Sequence, residues 1–135
     1  MKRYLLISVI SLAIGAITAA NSMSEPDKGV GPVTEVKLSA DIDASMVEKG
    51  KGIFETKCSA CHKWEEKYVG PALKGVTKRR EPEWILNMIL NPGEMTQKNP
   101  TAKALFEEIL IQMTPQNLTE QEARTVLEYF RSLDK

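Results

Sequence analysis

The sequence predicts an all-α fold built from short helices. From residue 43 onward, apolar side chains recur at the spacing of a helix face, and little of the chain alternates as a strand would. Pro and Gly residues divide this pattern into helices of about two to four turns. A length of 135 residues suits one domain, which we place at residues 43–135, and there is no internal repeat.

The first two predicted helices are marked by the residues at their ends. Asp43 is a suitable N-cap for a helix over about residues 44–57. A second helix is predicted over residues 82–90, because Pro82 is tolerated in a first turn and Pro92 ends the pattern. Their apolar faces contain Val47, Gly50 and Phe54 in the first helix, and Trp84, Ile85, Met88 and Ile89 in the second.

Two further helices follow. The third is predicted over about residues 101–111, and the last begins after Thr119, which forms a capping box with Glu122. Helices this short bury little against one another, so a large apolar group at the centre would complete the core. The apolar faces are Ala102, Leu105, Phe106 and Ile109 in the third helix, and Ala123, Val126, Leu127, Phe130 and Leu133 in the last.

The N-terminus has the order of a secretory signal, which we assign to residues 1–20. Two basic residues precede an uncharged, mostly aliphatic run that ends in small residues. That run is about 17 residues long, near the lower limit for a spanning helix, so retention as a membrane anchor stays open beside cleavage. Residues 21–42 are rich in Pro, Gly, Ser and charge, and we expect a flexible leader. The expected location is the periplasm.

The charge balance argues against nucleic acid as a partner. The chain has 18 basic and 18 acidic residues, and removal of residues 1–20 leaves 16 basic residues against the same 18 acidic ones. A net charge near zero or slightly negative gives no reason to expect binding to nucleic acid. One stretch is nonetheless basic, and it is either a solvated surface or a docking site. Its residues are Lys57, Lys63, Lys67, Lys74, Lys78, Arg79 and Arg80.

The sequence KCSACHKW, residues 57–64, contains both cysteines and the only histidine of the chain. A disulfide between Cys58 and Cys61 would close a very small loop and would leave His62 unexplained. A dithiol redox centre belongs beside a βαβ pattern that is missing here, and structural zinc would need a carboxylate as its fourth ligand. The remaining interpretation is Cys-x-x-Cys-His, the attachment motif of c-type haem. Each thiol would form a thioether with a haem vinyl group, and His62 would bind the iron.

With this motif placed, residues 43–135 resemble a monohaem class I c-type cytochrome. Gly50 and Phe54 precede Cys58 as the small residue and the aromatic of that family's first helix do, and Tyr129 is at the position of the aromatic that they contact. The segment VGPALKGV is similar to the family's Gly-Pro-x-Leu-x-Gly segment. The resemblance implies that the carbonyl of Pro71 accepts a hydrogen bond from the ligating histidine, which fixes its tautomer.

Two longer segments are similar to a bacterial branch of small cytochromes c. They are GPALKGVTKRREPEWILNMILNP and MTPQNLTEQEARTVLEYFRSL. Related cytochrome segments occur fused to nitrous oxide reductases. The resemblance therefore suggests nitrous oxide reductase as one candidate partner, beside a terminal oxidase or a quinol-oxidising complex.

The second axial ligand of the iron is predicted to be a methionine, because the chain has no second histidine. Met113 lies in a loop ahead of the last helix, where class I cytochromes have their ligand, although the family's Met-Pro pair is Met-Thr-Pro here. Met95, in the predicted loop NPGEMTQKNP, is the second candidate. Met23 in the leader, Met46 in the first helix and Met88 in the second are less suitable.

Three further residues are candidates for contacts with the haem propionates. Guanidinium groups match carboxylates in a fork geometry, so Arg79 and Arg80 are either propionate ligands or surface residues. Trp84 either donates its indole N–H to a propionate or packs in the core.

The sequence thus predicts a monomeric one-electron carrier of the periplasm, a non-enzymatic haem protein of a respiratory chain. Two other functions stay open. An iron without a sixth ligand would bind a small gas or support weak peroxidase chemistry, although no distal histidine is available for it. A retained anchor would favour a fixed cytochrome subunit of a larger complex.

Overall fold

The computed structural model describes residues 25–135, and in that range there are six α-helices, one π-helical turn and no β-strand. The π-turn spans Phe54–Cys58 and continues the first helix. The helices are α1 (Ala44–Ile53), α2 (Val76–Arg79), α3 (Pro82–Leu90), α4 (Pro92–Lys98), α5 (Pro100–Ile109) and α6 (Glu120–Leu133). The all-α prediction is confirmed.

The end of the first helix differs from the prediction of one regular helix to residue 57. Asp43 caps α1 as expected, its carboxylate accepting from the amides of Ser45 and Met46. The helix then widens, because the amide of Ser59 donates to the carbonyl of Phe54, five residues earlier, at 2.9 Å. Such π-turns change the direction of the side chains that follow, and here the turn ends at Cys58.

Helices α1 and α6 cross in close contact at Gly50. A β-carbon added there would lie 2.0 Å from the carbonyl oxygen of Thr125, so only glycine permits this approach. Beside the crossing, the ring of Phe54 is 5.7 Å from that of Tyr129 and 5.8 Å from that of Phe130, centroid to centroid. The contact that the resemblance implied between the first and last helices is therefore present.

Helix α6 has the predicted N-terminal capping box and most of the predicted buried face. The hydroxyl of Thr119 accepts from the amide of Glu122, whose carboxylate accepts from the amide of Thr119. Leu133 is the exception to the predicted face, since 42% of its surface is exposed at the last residue of the helix. The buried apolar residues are Ala123, Val126, Leu127 and Phe130.

The middle of the chain is more helical than the sequence predicted. Helix α3 agrees with its prediction, but residues 92–98 form α4 where a loop was expected. Pro92 and Pro100 stand at the first positions of α4 and α5, where their missing N–H groups cost nothing, so these prolines begin helices and do not merely end them. Helix α5 ends at Ile109, after which Leu110 adopts a left-handed conformation with φ of 60°.

Residues 25–42 were predicted as a flexible leader, and the structure instead places them along α3 and α4. Val33 is 4% exposed, and its amide donates to Oδ1 of Asn87 at 2.9 Å. The amide of Val36 donates to Oε1 of Glu83 at 2.9 Å, and Nδ2 of Asn99 donates to Oδ1 of Asp27 at 2.6 Å. We call this segment the strap. Polar composition predicted disorder, but buried amide and carboxylate partners on the helices satisfy its backbone.

Within residues 25–135, no helix is long and apolar enough to cross a lipid bilayer. The predicted signal segment and Met23 lie outside these residues.

Candidate functional site

The two cysteines and the histidine lie on one tight turn at the end of the π-helical segment. The amides of Cys61 and His62 both donate to the carbonyl of Cys58, at 3.0 and 2.9 Å. Cys58 is half-buried and Cys61 is exposed, and neither forms a disulfide. Burial raises the pKa of the Cys58 thiol, against the lowering effect of the neighbouring Lys57. The turn therefore carries two free thiols and one imidazole.

The imidazole of His62 is oriented by the loop that follows it. Its Nδ1 is 3.2 Å from the carbonyl oxygen of Pro71, which fixes a proton on Nδ1 and leaves the lone pair on Nε2. Gly70 lies against the ring, so a β-carbon there would be 2.5 Å from Cε1. Burial lowers the pKa of His62, and the bond to Pro71 offsets this only partly, so the ring is neutral at pH 7. A neutral imidazole is the form that binds a metal.

These donors fit a covalently attached haem. In residues 25–135, no group of three or more His, Cys, Asp and Glu side chains forms a metal cluster, which disfavours the zinc alternative. The free thiols, the oriented imidazole and the all-α surroundings are what the attachment motif requires. Cys58 and Cys61 would hold the porphyrin, and His62 would bind its iron.

The two candidate methionines have different surroundings. Met95 lies in helix α4 and not in a loop, so that expectation was wrong; its side chain is 0% exposed, and its sulfur is 3.0 Å from the amide of Val30, which donates to it. Met113 is half-buried in the irregular segment 110–119. The Nζ of Lys57, next to the first cysteine, is 3.5 Å from the carbonyl oxygen of Gln116 in that segment.

Three comparisons bear on the family. A family model described as "Cytochrome c" matches residues 47–134. The chain belongs to the cytochrome c family. It is 30% identical over 101 residues to a cytochrome c-553-like protein of Synechocystis sp., an alignment that covers 71% of this chain and 89% of the relative.

Solved structures agree with this membership. A cytochrome c from Rhodothermus marinus is 45% identical, with a TM-score of 0.76, over 77% of this chain and 90% of that one. An engineered form of the same cytochrome, bound to a carbene intermediate, is 44% identical with a TM-score of 0.72 over the same shares. The chain is a monohaem class I c-type cytochrome. Its haem c attaches through Cys58 and Cys61, and its function is electron transfer with redox protein partners.

The residues predicted for the propionates have other contacts in this cytochrome. The indole N–H of Trp84 donates to Oδ1 of Asn99 at 3.1 Å in the core, which agrees with the core-packing alternative. The guanidinium of Arg80 lies over the Trp84 ring, 5.1 Å from its centroid. The guanidinium of Arg79 donates to two backbone carbonyls, at Ala72 (3.0 Å) and at Lys74. The propionate contacts of these three residues stay a prediction.

Sequence reasoning missed several residues on which the cytochrome depends. Asn87, in the apolar run WILNMIL, binds the strap through Val33 and Lys28. A buried side-chain amide needs hydrogen-bond partners, so a single asparagine in this apolar run could have indicated a contact with another segment. Asp134 accepts from the amides of Gly75 and Thr77 at 2.6 and 3.0 Å, and no local pattern indicated that contact.

Proposed function

We propose that this cytochrome is an exported one-electron carrier whose iron is bound by His62 and Met113 in both oxidation states. The iron, when haem is bound, supplies a ferric–ferrous couple. The proposal rests on family membership together with the oriented imidazole and the position of Met113. It includes no enzymatic role.

His62 would act as the permanent ligand. Its ring is held between the Pro71 carbonyl and the α-carbon of Gly70, so its orientation changes little between oxidation states. A hydrogen bond from Nδ1 to a carbonyl makes the other ring nitrogen a stronger donor, which stabilises ferric iron. Fixed ligation keeps the reorganisation on electron transfer small.

The assignment of Met113 as the second ligand rests on one observation, the different engagement of the two methionine sulfurs. The sulfur of Met95 accepts the amide of Val30 in a buried helix and would have to leave the core to reach a metal. Met113 lies outside the helices, in a segment that contacts the residue before Cys58, because Nζ of Lys57 is 3.5 Å from the carbonyl oxygen of Gln116. A thioether ligand from a loop would favour ferrous iron and raise the reduction potential.

The first experiment is the absorption spectrum of the haem-loaded protein, ferric and ferrous, with and without carbon monoxide. A weak ferric band of the iron–thioether type, and a ferrous spectrum that carbon monoxide leaves unchanged, are expected. A missing band with ready binding of carbon monoxide would replace the carrier by a gas-binding or peroxidase function.

The partner would be a redox protein with an acidic surface. Two of the basic residues near the haem motif pair within the chain, Lys74 with Glu65 at 2.7 Å and Lys67 with Glu108 at 3.7 Å. The remaining basic residues of this stretch would steer docking onto an acidic partner such as nitrous oxide reductase, a terminal oxidase or a quinol-oxidising complex. They are Lys57, Lys63, Lys78, Arg79 and Arg80. We expect the transfer rate to fall as ionic strength rises, and a constant rate would contradict steering.

The proposed location is the periplasm, after removal of residues 1–20. Mass spectrometry of the protein from fractionated cells tests this directly. A soluble periplasmic product that begins near Asn21 is expected. A membrane-bound product that retains the apolar run would indicate an anchored cytochrome.

A further inference from the structure

The irregular segment that carries Met113 is fastened to the rest of the protein on both sides of that methionine. On one side, the hydroxyl of Thr96 in helix α4 donates to Oε1 of Gln112 at 2.9 Å. On the other side, Nζ of the exposed Lys57 is 3.5 Å from the carbonyl oxygen of Gln116, at the limit of a hydrogen bond. The contact from Thr96 is therefore the firmer of the two.

Helix α4 gives this contact a fixed base. Pro92 and Met95 are fully buried, and Thr96 is 7% exposed. The amide of Val30 in the strap donates to the sulfur of Met95, the residue next to Thr96. The hydroxyl of Thr96 therefore meets the loop from a helix that is itself held in the core.

The side chain of Gln112 connects Thr96 to the backbone of Met113. Its amide oxygen accepts from the Thr96 hydroxyl, and its amide nitrogen donates to the carbonyl of Met113 at 3.1 Å. A side-chain amide has an acceptor and a donor at one end, so it can form both bonds at once. One planar group thus joins a buried helix to the peptide of the proposed ligand.

This contact can open without leaving a buried donor unpaired. The Thr96 hydroxyl has a single proton, and the carbonyls of Pro92 and Gly93 in its own helix are each 3.1 Å away as alternative acceptors. Gln112 is exposed, so water can replace Thr96 as its partner. Release of the loop therefore costs the net contribution of one hydrogen bond, and not the larger penalty of an unsatisfied buried group.

We propose that Thr96, acting through Gln112, is a positioning residue that holds the Met113 segment closed, so that the thioether stays on the iron. The inference rests on the proposed ligation by Met113. Without the contact, the segment opens more often, and an external ligand competes with the thioether for the iron. The apparent affinity of such a ligand rises in proportion to the fraction of molecules that are open.

Two variants break the contact, and a third is their control. Thr96→Val removes the hydroxyl and keeps the branched shape of the side chain, and Gln112→Ala breaks the same contact from the exposed side. Thr125→Val is the matched control, because Thr125 is also buried in a helix, at 5% exposed. Within residues 25–135, its hydroxyl has one hydrogen bond, to the carbonyl of Glu122 in the same helix at 2.7 Å.

The test is a titration of the haem-loaded ferric proteins with free imidazole, followed through loss of the iron–thioether band. Thr96→Val and Gln112→Ala should each lower the half-saturating imidazole concentration about two- to tenfold, the range for loss of one hydrogen bond. The double variant should match Gln112→Ala alone, because both changes remove the same contact. Thr125→Val should bind imidazole as the wild type does. Urea unfolding verifies that each variant is folded under the conditions of the titration.

Met113→Leu separates this inference from the proposed function. If the band persists in Met113→Leu, Met113 is not the ligand, and the ligation and the inference are wrong together. If Met113→Leu abolishes the band but Thr96→Val and Gln112→Ala bind imidazole as the wild type does, the inference alone is wrong. An equal change in Thr125→Val would also overturn it, because the effect would then follow a general loss of stability and not the contact with the loop. Should Thr96→Val fail to fold, Gln112→Ala decides the question by itself.

Discussion

The strap side and the motif side of this cytochrome use their polar groups in opposite ways. On the strap side, which comprises residues 25–42 with α3 and α4, side-chain donors and acceptors are paired within the protein. Asn87 uses both its oxygen and its nitrogen, Glu83 accepts from Val36, and the sulfur of Met95 accepts from Val30. Within residues 25–135, no buried side-chain nitrogen or oxygen lacks a partner.

The motif side, which comprises residues 58–75 and 110–119, leaves its reactive atoms uncommitted. The thiols of Cys58 and Cys61 are free, and the one hydrogen bond of the His62 ring is at Nδ1, in the part of the chain that the structure describes. Met113 lies in an irregular loop and is only half-buried. The two methionines therefore differ in their surroundings, since the sulfur of Met95 accepts an amide in the core and Met113 lies half-buried in an irregular segment.

The largest expected difference is between the absorption spectra of two variants, one at each methionine. Met113→Leu should abolish the iron–thioether band and allow carbon monoxide to bind ferrous iron. Met95→Leu should keep the band and lower the free energy of unfolding by about 1–2 kcal/mol, because it conserves volume but removes the acceptor of the Val30 amide. Absorption spectra and urea unfolding measure both effects. Loss of the band in Met95→Leu alone would reverse the ligand assignment.

The strap itself is tested at Asn87, which is 1% exposed. Asn87→Ala removes its bonds to the amide and carbonyl of Val33 and to the carbonyl of Lys28, and should lower the free energy of unfolding by about 2–4 kcal/mol. The visible spectrum should not change. Asn91→Ala, which removes a half-buried amide between α3 and α4 that donates to Glu94, should cost about 1 kcal/mol or less.

Should the two asparagine variants unfold at the same urea concentration, the strap would be only loosely attached. The flexible leader predicted from composition would then describe the segment better than its contacts do.

Gly70→Ala adds a methyl group on the motif side, and Gly93→Ala adds one in α4 on the strap side. At Gly70 the new carbon would lie 2.5 Å from Cε1 of His62, whereas at Gly93 nothing lies within 4 Å. Gly70→Ala should displace the imidazole from Pro71 and cost about 1–3 kcal/mol of stability, with a change in reduction potential. Gly93→Ala should be neutral or stabilising by up to about 1 kcal/mol, because alanine favours the helix. An unchanged potential in Gly70→Ala would mean that His62 can move without effect.

The smallest expected effect is the pH dependence at Asp134, which joins α6 to the loop of the motif side. Burial alone would raise the pKa of this carboxyl, but hydrogen bonds from Thr77 and Gly75 outweigh it and hold the pKa below its usual value. A lowered folded-state pKa means that the stabilisation is present above the unfolded pKa and is lost as the pH falls through the folded value.

Asp134→Asn should therefore cost about 1–2 kcal/mol at pH 7, with the difference from the wild type shrinking below about pH 4. Urea unfolding at several pH values measures this. The exposed Asp41, changed to Asn, controls for loss of a surface charge. A difference that persisted at pH 2 would indicate lost packing and not a lost carboxylate.

The sequence by itself determined the helical class, the helix of residues 82–90, the Thr119–Glu122 capping box and the cysteine–histidine motif. Each of these depends on residues close together in the chain, because capping, proline geometry and thioether attachment are local chemistry. The family resemblance added the Pro71 carbonyl and the contact of Phe54 with Tyr129.

Only the tertiary structure decided which polar groups pair across the chain. Val33 of the strap donates to Asn87, which lies 54 residues later in the chain, and Gly75 donates to Asp134, which lies 59 residues later. No local sequence pattern encodes contacts between residues so far apart. The same packing pairs the indole of Trp84 with Asn99 and the guanidinium of Arg79 with the carbonyl of Ala72, and no local pattern indicated either contact. A side chain's type limits the bonds that it can form, and folding selects the partner, because only the folded chain brings distant donors and acceptors within reach.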